Sequence, residues 1–263
     1  MAVAPWPIGR VNWIGLWTLY HKEVWRFLKV PAQTIAAPAV MALLMITIFS
    51  IAVGSAVRQV GGVPYIEFLS PGLIMMAIIQ NSFGNASSSL IISKVQGNIV
   101  DLLMPPLSPG ELAWGFILGG VTRGLFVGAV LLVVVAPAAG LTPRHPEFIL
   151  LHAVFAASAL SMLGLMGGIW AEKFDHIATV TNFVVTPLAF LSGTFYSIER
   201  LPPIWGEITR FNPLFYMIDG FRYGFIGHAD GSLGTGIVVV VSATLTLWVA
   251  CYVMLSRGYK LKP

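Results

Sequence analysis

Charge is what this chain has least of. Asp, Glu, Lys and Arg make up 10% of its 263 residues, against roughly 25% in an average soluble protein. Hydrophobic residues make up 57%. So few charges cannot clothe a water-soluble domain of this length, whereas a bilayer solvates apolar side chains directly. The composition excludes the one or two soluble domains that length alone suggests and assigns a polytopic membrane protein. Cysteine is nearly absent too: Cys251 alone, inside an apolar run, excludes a disulfide framework and a cysteine-based metal site. The five histidines (His21, His145, His152, His176, His228) include no i, i+4 pair, and no Ser/His/Asp set or paired carboxylates stand out. No catalytic residue and no metal site is therefore expected. No Gly-Lys dipeptide occurs, which excludes a phosphate-binding loop. The net charge of +4 comes from scattered Lys and Arg without a dense patch, so no nucleic-acid partner is expected. Residues 1–10 lack the basic start and apolar core of a cleavable signal.

What is present is apolar runs of about 20 residues, the length of a membrane span. Six occur, at 34–53, 71–92, 112–136, 148–170, 177–191 and 236–256. With both termini cytoplasmic, the inner segments hold Arg10, Lys22, Arg26, Lys29, Lys94, Lys173, Arg257, Lys260 and Lys262. The outer ones hold Arg58, Arg144, Arg200, Arg210 and Arg222, and nine against five favours that orientation. Two basic ends on one side require an even number of crossings.

Residues 12–29 differ in character. Trp13, Trp17, Tyr20, Val24, Phe27 and Leu28 recur at helical spacing with Thr18, Lys22, Arg26 and Lys29 opposite, the pattern of an amphipathic interfacial helix with its basic face to the headgroups. Four of the eight tryptophans (Trp6, Trp13, Trp17, Trp25) fall within the first 25 residues. The helix is read either as a surface anchor or as a lever touching a cytoplasmic partner. Between the second and third runs, Ile99, Leu102 and Leu103 share one face of a short helix ended by Pro105-Pro106. Such a helix suits docking to another protein, or serves as a connector. Ser108-Pro-Gly-Glu111 reads as a capping box with proline at the first helical position.

Polar residues inside the runs form stripes: Asn81, Asn85 and Ser88 in the second, Thr179, Asn182 and Thr186 in the fifth. They line a substrate route, or they hydrogen-bond neighbouring helices. Arg123 is the one basic residue at depth; snorkelling and pairing with Glu67 or Asp219 are both open to it. Gly115, Gly119, Gly120, Gly124 and Gly128 mark close helix packing. Residues 192–235 are too long for a turn and too apolar for a free loop, and Asp219 and Arg222 stand at i, i+3, where they can pair.

Two motifs carry a family resemblance. Gln96-Gly97, Asp101-Leu-Leu, Pro105 and Leu107-Ser-Pro…Glu111 resemble the first cytoplasmic loop of ABC-2-type permeases, the membrane subunits of ATP-driven exporters. Pro187-Leu-Ala-Phe-Leu-Ser-Gly-Thr-Phe-Tyr-Ser-Ile-Glu-Arg-Leu-Pro-Pro203, followed by Phe211-Asn-Pro-Leu…Asp219-Gly-Phe-Arg222, resembles their re-entrant segment and closing motif. The likeness spans the chain and is nearest to bacterial inner-membrane members at Ser70-Pro-Gly-Leu-Ile-Met-Met76 and Gly220-Phe-Arg-Tyr-Gly-Phe225. One departure is Lys94, with no acidic residue between it and Gly97.

The resemblance implies a single all-α transmembrane domain: an interfacial helix at 12–29, a six-span bundle at 34–256 and re-entrant extracytoplasmic helices at 192–235. It implies two permease copies and two ABC-type ATPase subunits, with ATP and Mg on the ATPase and no cofactor on this chain. Gln96, Gly97, Asp101, Leu102, Leu103 and Pro105, with Trp17, Lys22, Glu23 and Arg26, are expected to meet the ATPase. Asn81, Asn85, Ser88, Asn182 and Thr186 are expected to line the substrate route. Phe195, Tyr196, Phe211, Asn212, Pro213, Asp219 and Arg222 are expected to form an outer gate. Relatives of this fold export glycans, lipids, drugs and lipo-oligosaccharides, so the expected substrate is amphipathic, lipid-linked or glycan-type. Alternatives are an ATP-independent channel or carrier, disfavoured because the clear spans hold no acidic residue beyond Glu111 and Glu172 at their edges, or a membrane subunit that transports nothing.

Overall fold

The computed structural model describes residues 9–52, 59–60 and 62–261; Trp6, Val53, Arg58 and Lys262 lie outside the described residues. Among the described residues the regular secondary structure is helical apart from a two-stranded hairpin, β1 (Gln59–Val60) and β2 (Val63–Pro64). The helices are α1 (Trp13–Leu28), α2 (Ala37–Ala52), α3 (Tyr65–Val95), α4 (Ile99–Leu103), α5 (Pro109–Ala139), α6 (Pro146–Trp170), α7 (Phe174–Val180), α8 (Thr186–Phe190), α9 (Pro203–Phe211), α10 (Pro213–Ile226) and α11 (Leu233–Ser256).

Among the described residues five helices are long and apolar enough to cross a membrane: Ala32–Ala52, in which a wide π turn precedes α2, and α3, α5, α6 and α11. They coincide with the first, second, third, fourth and sixth expected spans. The expected fifth is built differently. Residues 174–190 run as α7, a π turn at Thr181–Val185 and α8, together about 26 Å of helical rise against about 30 Å of hydrocarbon. Both π turns lie just ahead of a proline, Pro38 and Pro187. A proline donates no N–H to the carbonyl four residues back, and a widened turn absorbs the gap.

The bundle is assembled around α3. In its most apolar stretch 67% of residues are buried, against 11% in the span containing α2, because α5 and α6 both pack along it. Small residues permit the approach. A Cβ on Gly120 or Gly124 would strike Ser161 or Ser82, and one on Gly164 the backbone of Phe83. Gly115 and Gly119 face the other way, toward Leu19 and Glu23 of α1. The expected glycine seams therefore close within one chain.

α1 runs beside α5 in the same direction, with Leu19 on Gly115, Glu23 on Gly119 and the Phe27 ring 6.0 Å from Phe126. One end of the bundle gathers the start of α1, the ends of α3, α6 and α11, and the start of α5. There the Asn12 N–H donates to Glu111 Oε1 at 2.6 Å, and Lys260 Nζ lies 2.7 Å from Glu172 Oε1. The expected capping box at Ser108 is present: Ser108 Oγ accepts from Glu111 N and the Glu111 carboxylate from Ser108 N. At the opposite end lie the hairpin, α9 and the buried α10, which packs on α3, α6 and α11.

Candidate functional site

At the basic end, α1, the last turns of α3 and the α4 loop enclose a groove of about 570 Å³. Gly15, Thr18, Lys22 and Arg26 form one wall, Ser89, Ser93 and Gln96 the floor, and Asp101, Leu102 and Pro105 the other wall. Six residues expected to meet an ATPase are thus brought together. Lys22 and Asp101 are both exposed on facing walls, so the groove presents charges of both signs beside a lining that mixes polar and apolar side chains. Gly97 takes φ +74° at the end of α3, where a side chain would be strained. Lys94 donates to the carbonyls of Ile169 and Ala171 and so caps the last turn of α6.

Two expectations about this end need correcting. The shared apolar face of α4 turns inward: Ile99 and Leu102 are buried and Leu103 half-buried, against Leu19, Leu90 and Leu112. Val100 and Met104 point out instead, at 51% and 75% exposure, and the i, i+4 pair of apolar residues opposite Ile99 was their signal in the sequence. Secondly, α1 does not turn its whole basic face outward. Glu23 is fully buried, and Arg26 Nη2 pairs with Glu23 Oε2 at 3.0 Å. Arg26 also donates to Asn85 O at 2.6 Å, Asn85 Oδ1 at 2.9 Å and Ser88 Oγ at 3.0 Å, while Ser89 Oγ donates to Glu23 Oε1 at 2.6 Å. Glu23 is out of reach of a docking partner. The outward face carries Trp13, Ile14, Trp17 and Trp25.

The same network takes up two of the five residues expected to line the route. Asn85 and Ser88 are bonded to Arg26 in the seam between α1 and α3, whereas Asn81 lines a separate groove of about 400 Å³ with Gln33, Met41, Gln80 and Phe190. Asn182 is exposed and Thr186 half-buried on the α7–α8 segment, and neither lines that groove. Gln80 stands beside the expected stripe, whereas Gln33 was missed, since a single amide outside a stripe carries no periodic signal. Arg123 pairs with neither Glu67 nor Asp219 among the described residues.

At the far end, Asp219 and Arg222 do not form the expected ion pair. Asp219 accepts the backbone N–H groups of Asp230 and Gly231, each at 2.9 Å, and Asp230 in turn accepts from Ile198 N at 2.9 Å. Arg222, 1% exposed, donates Nε to Phe68 O at 3.2 Å and Nη2 to Gly193 O at 2.6 Å, with its guanidinium 3.8 Å above the Phe68 ring. Each is held by backbone from another segment, which spacing along one helix cannot reveal. Asn212 caps α10 through Leu214 N at 3.0 Å and donates to Leu188 O at 2.7 Å. Pro213 opens α10. Phe195 stacks between Phe49 and Phe190 at 4.9 and 5.2 Å, beside the half-buried Tyr196. Phe211 is 89% exposed.

Comparison with known proteins bears on this arrangement. A family model described as ABC-2 type transporter matches residues 15–226. The chain is 37% identical over 250 residues to the "Inner membrane transport permease YadH" of Escherichia coli (strain K12), covering 95% of this chain and 98% of that one. It is 26% identical over 229 residues to "Nodulation protein J" of Rhizobium leguminosarum bv. trifolii, covering 86% of each.

Proposed function

This chain belongs to the ABC-2 type transporter family of membrane permease subunits, and from that premise we propose that it is the permease of an ATP-driven exporter in a bacterial inner membrane. The helical segment 174–190 supplies a sixth crossing, both termini are cytoplasmic, and α9 and α10 form a re-entrant cap on the outer side. Two copies pair about a two-fold axis, each holding one ABC-type ATPase subunit that binds ATP and Mg. The observation that carries the reading is the groove in which Lys22, Gln96, Asp101 and Pro105 converge. It sets the apolar Leu19, Ile92 and Leu107 beside the charged Lys22 and Asp101, which suits a helix or loop of the ATPase. Because α1 forms one wall and is tied to α3 through Glu23 and Arg26, movement of the ATPase reaches the bundle.

The substrate is of the amphipathic, lipid-linked or glycan type, moved outward. The groove combining Met41 and Phe190 with Gln33, Gln80 and Asn81 offers apolar surface and amides to such a molecule. Phe195, Tyr196, Phe211 and the Asp219–Asp230–Ile198 relay form the outer gate. Reconstitution with its ATPase tests the reading. Hydrolysis stimulated by the permease, and lost in Asp101→Lys, supports coupling through the groove. Stimulation unchanged by Asp101→Lys and by Met104→Glu overturns it.

A further inference from the structure

Near the end opposite the ATPase groove, α5, α6 and α10 leave a cleft of about 600 Å³ whose lining, among the described residues, holds no charged residue. Its floor is Ile78, Phe221 and Phe225, buried at 2%, 1% and 4% exposure. Its rims are Val133 and Leu150, at 76% and 64%. The hollow exists because small residues, Gly128, Ala129, Ala136 and Ala153, stand between those rims. Along α5 it runs from Leu125 to Ala136, about 17 Å of helical rise. It is thus elongated along the bundle, as a hydrocarbon chain is.

Where the cleft reaches the end of the bundle, Pro143 and Pro146 line it, and Arg144 lies between them. The mouth is rigid: the backbone N–H groups of Arg144 and His145 both donate to Gly224 O, at 2.9 and 2.8 Å. Arg144 Nη1 donates to Ile226 O at 3.1 Å, yet its side chain is exposed and has no acidic partner among the described residues. A long apolar hollow opening to hydrocarbon, with a guanidinium at its headgroup end that has no acidic partner among the described residues, is complementary to one class of molecule: a phospholipid of net negative charge. Water gains nothing from apolar walls, and arginine binds phosphate through paired N–H groups.

We propose that this cleft seats one acyl chain of an anionic phospholipid, with the phosphate on Arg144. The seat is independent of transport direction and of any ATPase; it needs only that α5 and α6 cross a membrane. Because Phe221 and Phe225 form its floor, an occupying chain packs α10, the helix carrying Asp219 and Arg222, against α5 and α6.

The test uses the full chain in vesicles containing phosphatidylglycerol with a photoreactive group on its acyl chain, with the adducts mapped by mass spectrometry. Adducts are expected to concentrate on the cleft, at Ala129, Val133 and Leu150, over the exposed α11 positions Val238 and Leu245. Unlabelled phosphatidylglycerol should compete better than phosphatidylcholine, and Arg144→Gln should weaken that preference about tenfold, the value of one charged hydrogen bond. Ala129→Phe should reduce cleft adducts while leaving those on α11, an internal control for folding. Equal labelling of the cleft and α11 in the wild-type chain overturns the proposal. So does efficient cross-linking of Val133→Cys chains to one another, which makes this face a contact between copies.

Discussion

Gly119 on α5 and Glu23 on α1 stand so close that a Cβ on the glycine would lie 2.5 Å from the Cβ of Glu23. The missing side chain lets α1 sink until Glu23 is fully buried. At that depth a carboxylate is tolerated only if paired, and Arg26, Ser89 and the Asn85 carbonyl complete the set. A packing choice on α5 thereby dictates an electrostatic one on α1.

Gly119→Ala should lower stability by about 1–3 kcal/mol, the usual result of overfilling a packed seam. The atom it meets is a Cβ, fixed to the backbone, so the neighbour cannot swing away. Thermal unfolding of the detergent-solubilised chain measures the loss, and faster tryptic cleavage at Lys22 and Lys29 reports that α1 has come loose. Unchanged melting and cleavage would mean that α1 is not seated by this glycine.

Glu23→Gln removes the buried member of a pair whose other side chain, Arg26, is half-buried, and should cost about 1–3 kcal/mol, because Arg26 then lacks its counter-charge. Replacing both, as Glu23→Gln with Arg26→Met, should recover much of that loss. A double mutant less stable than Glu23→Gln alone would show that Arg26 earns its place through Asn85 and Ser88 instead.

Much of the bundle is legible in the sequence, and what escapes has a common cause. Five long helices follow from apolar length, and the α5 start from Ser108 and Glu111, because both signals are local. The inward turn of Ile99 and Leu102, the burial of Glu23 and the separate partners of Asp219 and Arg222 depend on which helix arrives opposite. One helix's periodicity gives a face but not its neighbour. Asn81, Asn85 and Ser88 illustrate the limit: one stripe, yet Asn81 opens on a groove while the other two are bonded to α1.

The two faces of α4 should separate binding from folding. Met104→Glu and Val100→Asp alter exposed side chains and should leave melting unchanged while weakening ATPase association at least about tenfold, or roughly 1.4 kcal/mol. Leu102→Ala, at a buried position, should instead cost about 2–5 kcal/mol of stability. Association measured by surface-immobilised permease distinguishes them; loss of melting temperature in Met104→Glu would sink the assignment of that face.

The carboxyl-terminal tail should be held over a bounded pH range. The Lys260 ammonium donates to Glu172 and holds its carboxyl below the usual value, and the same bond raises Lys260. A depressed carboxylate contributes stability above its ordinary pKa of 4.5, lost as pH falls through the lower folded value. A raised ammonium contributes below its ordinary 10.5, lost as pH climbs through the higher folded value. A spin label at Tyr259→Cys should therefore be most ordered between these limits. In Glu172→Gln the label should be mobile throughout, with no acid limb.

Arg222 offers the sharpest contrast between residues of equal charge. Its guanidinium lies over Phe68 while two of its nitrogens reach carbonyls on α3 and on the loop at Gly193. A planar fork can do both at once; an ammonium on a flexible stem cannot. Arg222→Lys keeps the buried charge but loses the stacked geometry, so it should cost about 2 kcal/mol or more. Arg222→Met removes the charge and leaves chiefly the Gly193 carbonyl unsatisfied, since Phe68 O sits within α3. The methionine variant should therefore melt above the lysine variant although it is chemically the larger change. The reverse order, or a lysine variant as stable as wild type, would show that positive charge rather than planar bridging joins α10 to α3.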